Sequence, residues 1–204
     1  MRIRRLAILL SALAPLPSNS VELEQYPTDG DLSARWLADI AAFGDLTEGC
    51  TVADLGAGNG ILGLGALAMG AGRAMLVEAD QAAYTVAKSN AESMGFADSV
   101  EVIRATLGSD PVDLSSADVV ISNPPWGRQT PGADRPFLEA MIAAAAPAHL
   151  LHSAEATHIQ PFFEDAGWPA ERYGEADFAL PASYSHHSRQ RGRTRAAFWR
   201  LAPP

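Results

Sequence analysis

At residues 123–126 an asparagine is followed by two prolines and a tryptophan, directly after the apolar run ADVVIS. That order of residue types suits one kind of chemistry. An exocyclic amine such as N6 of adenine is a poor nucleophile, because its lone pair is delocalised into the ring. Two acceptors aimed at its hydrogens draw the nitrogen toward tetrahedral geometry and free the lone pair for an electrophile. Asn123 supplies a side-chain carbonyl and Pro124 a main-chain carbonyl. Pro124 and Pro125 fix φ and so hold the loop before a substrate arrives. Trp126 offers a flat face on which a flipped base can stack. The plainer reading, a Pro-Pro turn with a buried tryptophan, gives no reason for the asparagine.

A second group lies upstream. The stretch VADLGAGNGILG, residues 52–63, brings an acid and a run of glycines to a strand–helix junction. Gly56, Gly58 and Gly60 let the backbone pass close to a ligand, and the helix N-terminus beyond favours a polar or anionic group. Gly58, Gly60 and Gly63 also satisfy G-x-G-x-x-G, a weak signal by itself. Glu78, closing the next strand, is placed to accept hydrogen bonds from both hydroxyls of a ribose. A dinucleotide would use the same acid, so Glu78 leaves the cofactor open. Asp54 narrows the choice. Acid-x-Gly-x-Gly-x-Gly resembles motif I of the S-adenosylmethionine-dependent methyltransferases, whose ligand carries an amino group that a carboxylate can approach.

For these two groups to meet, strands and helices must alternate. TVADL (51–55), RAMLVE (73–78), SVEVIRAT (99–106), ADVVIS (117–122) and AHLLHS (148–153) read as strands. ILGLGALAMG (61–70), QAAYTVAKSNAESM (81–94), RPFLEAMIAAAA (135–146) and EATHIQPFFEDAG (155–167) read as helices. Gly95 stops the second of these, and Pro161 starts or kinks the last. AERYGEADFAL (170–180) and TRAAFWRL (194–201) are two final strands joined by an arginine-bearing loop. Near the start, Leu6, Leu9, Leu10 and Leu13 fall at helical spacing, as do Leu32, Trp36, Leu37 and Ile40. The expected fold class is α/β: a Rossmann-like, mostly parallel sheet flanked by helices on both faces. We expect a single domain over residues 1–204. Residues 1–46 would be an N-terminal helical extension and cofactor-covering segment, and residues 47–204 the core.

Charge adds a candidate binding surface. The chain carries −9 overall, yet no acid follows Asp177, while Arg189, Arg191, Arg193, Arg195 and Arg200 lie beyond it. Together with His186 and His187, this basic run on an acidic body is a candidate RNA contact. If extended, the four arginines from 189 to 195 would point one way at period two. The plain alternative is that they pair with the protein's own acids. Acid excess with one lysine, Lys88, fits a salt-rich cytoplasm. A single cysteine, Cys50, excludes an internal disulfide and a Cys-rich zinc site. The five histidines give no Cys/His ligand pattern, and no metal is expected. The N-terminus imitates a secretory signal, but its leucine spacing and Pro15, directly after the would-be cleavage site, favour a core-packing helix in a cytoplasmic protein. No run reaches the ~18 apolar residues of a membrane span.

VELEQYPT, DLGAGNGIL, NPPWG, ADRPFL, LLHSAEATHI and LPASYSHHSR occur in the order and approximate spacing of the METTL5-like family. The chain resembles these archaeal and eukaryotic enzymes, which methylate adenine N6 in small-subunit ribosomal RNA, from about residue 6 to the last strand. The resemblance implies a class I fold and S-adenosyl-L-methionine as cofactor. It sets Gln25, Tyr26 and Thr28 over that cofactor, with Gln25 and Thr28 as direct contacts. Gly56, Asn59 and Ile61 would line the methionine end, Glu78 would hold the ribose, and Asn123 to Trp126 would bind the target adenine. It also implies that a small zinc-ribbon activator protein can complete a sheet edge. Three features depart from the family. Ser153 stands where relatives have a lysine. Ala105, followed by Thr106, stands where they have an aspartate for the cofactor's adenine. The body is acidic rather than basic. Two other functions fit the same motifs: methylation of a protein glutamine amide, and a non-catalytic, cofactor-binding assembly factor for the ribosomal subunit.

Overall fold

The computed structural model describes residues 1–16, 28–179 and 193–204. Five parallel strands form most of its sheet: β1 (Thr51–Leu55), β2 (Arg73–Glu78), β3 (Val100–Arg104), β4 (Val119–Ser122) and β5 (Ala148–Ser153). β6 (Ala170–Ala179) and β7 (Arg193–Leu201) finish it in the order β3-β2-β1-β4-β5-β7-β6. β7 runs antiparallel to both neighbours. Strands covered on both faces read as apolar runs. β4 and β5 are buried throughout.

Side chains alternate between two layers. Val52, Val119 and Ile121 face a core shared with α1 (Ile3–Ser11), α2 (Gly30–Ala42) and α3 (Ile61–Met69). Ala53, Leu55 and Val120 face the other core, with α5 (Arg135–Ala144) and α6 (Ile159–Asp165), while α4 (Gln81–Ser93) covers β2 and β3. α1 packs as its leucines require, with Leu6 and Leu10 buried, although Leu9 is exposed. Its close approach to α2 depends on Gly30, where a Cβ would stand 2.3 Å from Ser11 Oγ.

Several boundaries differ from those read in the sequence. α6 begins at Ile159 rather than 155, which puts Pro161 in the first turn, where a missing N–H breaks no helical bond. α5 stops at Ala144 because Ala145 turns left-handed, at φ 53°, ahead of Pro147. Arg193 and Arg195 belong to β7 rather than to the preceding loop. Most of VELEQYPT, and the segment holding His186 and His187, lie outside the described residues. Among the described residues, no helix is long and apolar enough to cross a membrane.

The chain crosses from β3 to β4 on the far side of β1, so the direction of winding reverses between β1 and β4. The C-terminal ends of strands at such a reversal leave a crevice. The buried Ser122 hydroxyl donates to Leu55 O at 2.7 Å and ties those two ends together.

Candidate active site

The glycine turn leaves β1 at this crevice. Gly60 holds φ 84° and has no side chain with which to cap α3. Asp54 caps the helix from β1 instead: its Oδ2 accepts from the Gly63 N–H at 2.9 Å. Asp54 is therefore buried beneath the loop and does not line the cleft above. Burial pushes its carboxyl up to about 7; the Gly63 N–H works against that shift and the nearby Glu78 adds to it. The acid expected to face a ligand's amino group braces the turn.

Glu78 does line the cleft. Its Oε2 accepts from Gly58 N–H at 2.8 Å and its Oε1 from Asp80 N–H at 2.9 Å. Burial raises this carboxyl too, although the backbone donors at Asp80 and Gly58 oppose the rise. With a further backbone donor at Ala79, the carboxylate still has acceptor capacity for a hydroxyl.

The cleft holds about 380 Å³. Thr28, Gly56, Gly58, Asn59 and Ile61 line it, as do Ala105, Thr106, Asn123 and Pro125. Leu62, Val77, Leu107, Pro136 and Phe137 add apolar wall. Gly60, Pro124 and Trp126 adjoin lining residues without being among them, and Gln25 and Tyr26 lie outside the described residues. One buried carboxylate among apolar walls could accept from the hydroxyls of a diol at Glu78, with room for a flat ring among Ala105–Leu107 and Phe137.

Asn123 lines the same cleft, with its amide bonded at both ends. Nδ2 donates to Thr28 Oγ1 at 3.1 Å, and Oδ1 accepts from the Trp126 indole N–H at 3.2 Å. Trp126 is only 6 % exposed. Its ring stacks on His152 at 6.0 Å and tilts against Phe178 at 4.9 Å. The flat face expected to receive a base is thus covered, because β6 and β5 bring Phe178 and His152 against it.

Three features went unread in the sequence. Asn90, buried in mid-helix, fixes the end of the N-terminal segment: Ala14 N–H donates to its Oδ1 at 2.9 Å, and its Nδ2 donates to Ala14 O and Asn59 O. Arg128 lies over Trp126 at 5.6 Å and donates to Thr194 Oγ1 at 2.9 Å. His152 and His158 converge on Asp134, although their spacing suggests no grouping. A histidine inside the buried run AHLLHS was the one visible signal. Arg195 takes the plain alternative and pairs with Glu175 at 2.5 Å.

The sheet order and the cleft at its reversal define a class I methyltransferase. Residues 37–157 match the Methyltransferase small domain family. The rRNA N(6)-adenosine-methyltransferase METTL5 of Danio rerio is 30% identical, over 100% of this chain and 100% of its own. Its Drosophila melanogaster counterpart is 28% identical, over 98% and 96%. The crystal structure of PH1948 from Pyrococcus horikoshii, a candidate RNA methyltransferase, superposes with a TM-score of 0.89 at 31% identity, covering 100% of this chain and 98% of that one. The chain belongs to the METTL5-like family.

Proposed function

We propose that this protein transfers a methyl group from S-adenosyl-L-methionine to N6 of an adenine in small-subunit ribosomal RNA, in the cytoplasm. The observation that carries the reading is Asn123 in the same cleft as Glu78, its amide bonded to Thr28 and Trp126. The full-length likeness to rRNA adenosine methyltransferases supplies the substrate class.

The cofactor, when bound, supplies an electrophilic methyl group. The residues do the rest. Glu78 holds the ribose hydroxyls, Thr106 and the apolar wall take the base in place of the missing aspartate, and Gly56 to Ile61 admit the methionine end. Asp54 keeps the turn in shape from below. Asn123 Oδ1 has a second lone pair, which with the Pro124 carbonyl accepts the two amine hydrogens of the target adenine. Activation is assigned to hydrogen-bond acceptance at the amine; as the nitrogen takes the methyl group from the sulfonium, leaving a neutral thioether, it gives up one proton to water. Trp126 acts through Asn123, and Pro125 presents the loop.

Phosphate contact is assigned to His186, His187, Arg189, Arg191 and Arg193, with a smaller share for Arg195 because Glu175 already engages it. Arg128, exposed beside Trp126, joins them. A zinc-ribbon activator would pair with one of the two sheet edges, β3 or β6. The test is transfer of a labelled methyl group to purified small-subunit RNA, followed by nucleoside analysis. Label in N6-methyladenosine supports the reading. Label in a protein glutamine, or in nothing, refutes it.

A further inference from the structure

β5 carries two buried histidines three residues apart, and they differ in one respect. His149 has both ring nitrogens partnered: Nε2 lies 2.9 Å from Asp45 Oδ2, and Nδ1 lies 3.3 Å from the Tyr173 hydroxyl. His152 is 1 % exposed and has neither nitrogen in an aligned hydrogen bond. Its Nε2 stands 3.2 Å from Asp134 Oδ2, a charge contact without hydrogen-bond alignment. His158 Nε2 reaches the same oxygen at 2.5 Å. One donor atom from each of Asp134, His152 and His158 lies within 4.8 Å of the other two.

Two imidazoles and a carboxylate are the donor set of a first-row divalent cation, zinc above all. Tetrahedral ligands about 2.0–2.1 Å from zinc stand roughly 3.3 Å apart. His152 already keeps that distance from Asp134. His158, about half exposed at the start of α6, needs to draw back by less than about 1 Å. A buried imidazole lacking an aligned partner is unfavourable, and coordination would relieve that cost. A cavity of about 300 Å³ opens beside Asp134 and His158, between Trp126, Leu138 and Phe162, with room for a water in the fourth position, while His152 closes the site from β5. Arg135 also borders it, but its charge is taken by Glu139 at 2.8 Å.

We propose that Asp134, His152 and His158 form a zinc-class metal site that braces the loop bearing Trp126. The His152 ring is the one stacked on Trp126, whose indole N–H holds Asn123. A bound ion fixes that ring and, through it, the amide at the cleft. The site acts by positioning and is independent of which substrate the cleft takes.

The test uses the full chain, stripped with a chelator and dialysed, then titrated with cobalt(II) alone. Visible absorption of a four-coordinate ion should appear and be displaced by zinc, and calorimetry should give one zinc per chain. Asp134→Asn and His158→Gln should each weaken zinc binding by at least about tenfold, the loss that even an outer-shell change produces. His158 is on the surface, so His158→Gln should keep its fold by near-ultraviolet circular dichroism even where Asp134→Asn does not. A His186→Ala/His187→Ala variant should bind as wild type does. The proposal fails if wild type takes up no metal, if His158→Gln binds zinc as tightly as wild type, or if the tail variant loses binding.

Discussion

Asp54→Asn separates two roles for the acid at the end of β1. Its carboxyl titrates near 7 when folded and near 3.8 when unfolded. The folded state therefore retains a proton that the unfolded chain gives up. Stability from that proton is full below the unfolded value and is lost as pH rises through about 7. At 1.36 kcal/mol per unit, the difference amounts to roughly 4 kcal/mol at pH 8 and about 2 kcal/mol near pH 5.5. Asparagine mimics the protonated form, and its carbonyl can still accept from Gly63. It also adds buried N–H groups, a pH-independent cost of about 1–3 kcal/mol. The slope of the difference with pH is thus the readout, rather than its value at one pH. In melting curves from pH 5 to 8, the variant should gain on wild type by on the order of 5–10 °C. Its cofactor affinity should stay within about tenfold of wild type, since Asp54 lies under the loop. A flat or reversed pH trend would mean that the carboxylate is ionised in the fold, with the Gly63 N–H and the helix terminus outweighing burial. A loss of affinity well beyond tenfold would mean that the acid meets the ligand directly.

Asn123→Ala should lower methyl transfer by on the order of 10²–10³, with cofactor affinity near wild type by calorimetry; equal loss of both would make the residue structural. Trp126→Phe keeps a ring against His152 and Phe178 but removes the N–H that orients Asn123, so turnover should fall by up to about tenfold, the worth of one hydrogen bond. Activity at the wild-type level would sever that link. Arg195→Ser should reduce the slope of log RNA affinity against log salt by less than the about 0.7–0.9 of a full phosphate contact, because Glu175, which also pairs with Arg172, already engages the guanidinium. Replacing Arg189, Arg191 and Arg193 together should reduce that slope by about 0.7–0.9 per arginine. An unchanged slope with a lower melting temperature would reveal internal pairs there as well.

The strands and the glycine turn were legible because their signals are local. TVADL and RAMLVE are apolar runs ended by acids and glycines, and each became a strand at the residues read. The meeting of the glycine turn with Asn123 followed from alternation, since two strand ends at a winding reversal must open on one crevice. Long-range contacts were not legible. Nothing near Asn90 announces that it grips Ala14, 76 residues away, and nothing near Trp126 says that Phe178 will cover it. An aromatic after two prolines looks the same in sequence whether its face is open or packed. Asp134 and the histidines of β5 and α6 come together only once the sheet sets β5 beside β4.

The orientation of Asn123 shows how an amide can be fixed without a charge. Its two ends differ only in donor and acceptor character, so a partner of fixed character decides which way it points. Turned round, the amide would set its NH2 group against the Trp126 N–H, donor against donor. At the other end the Thr28 hydroxyl accepts from Nδ2; since a hydroxyl can also donate, the indole, a donor only, is what decides the orientation. These partners come from distant stretches of chain: Thr28 precedes α2, while Trp126 follows β4. Thr28 lines the cleft, as Asn123 does. The orientation of one cleft residue therefore rests in part on another that the chain brings in from before α2.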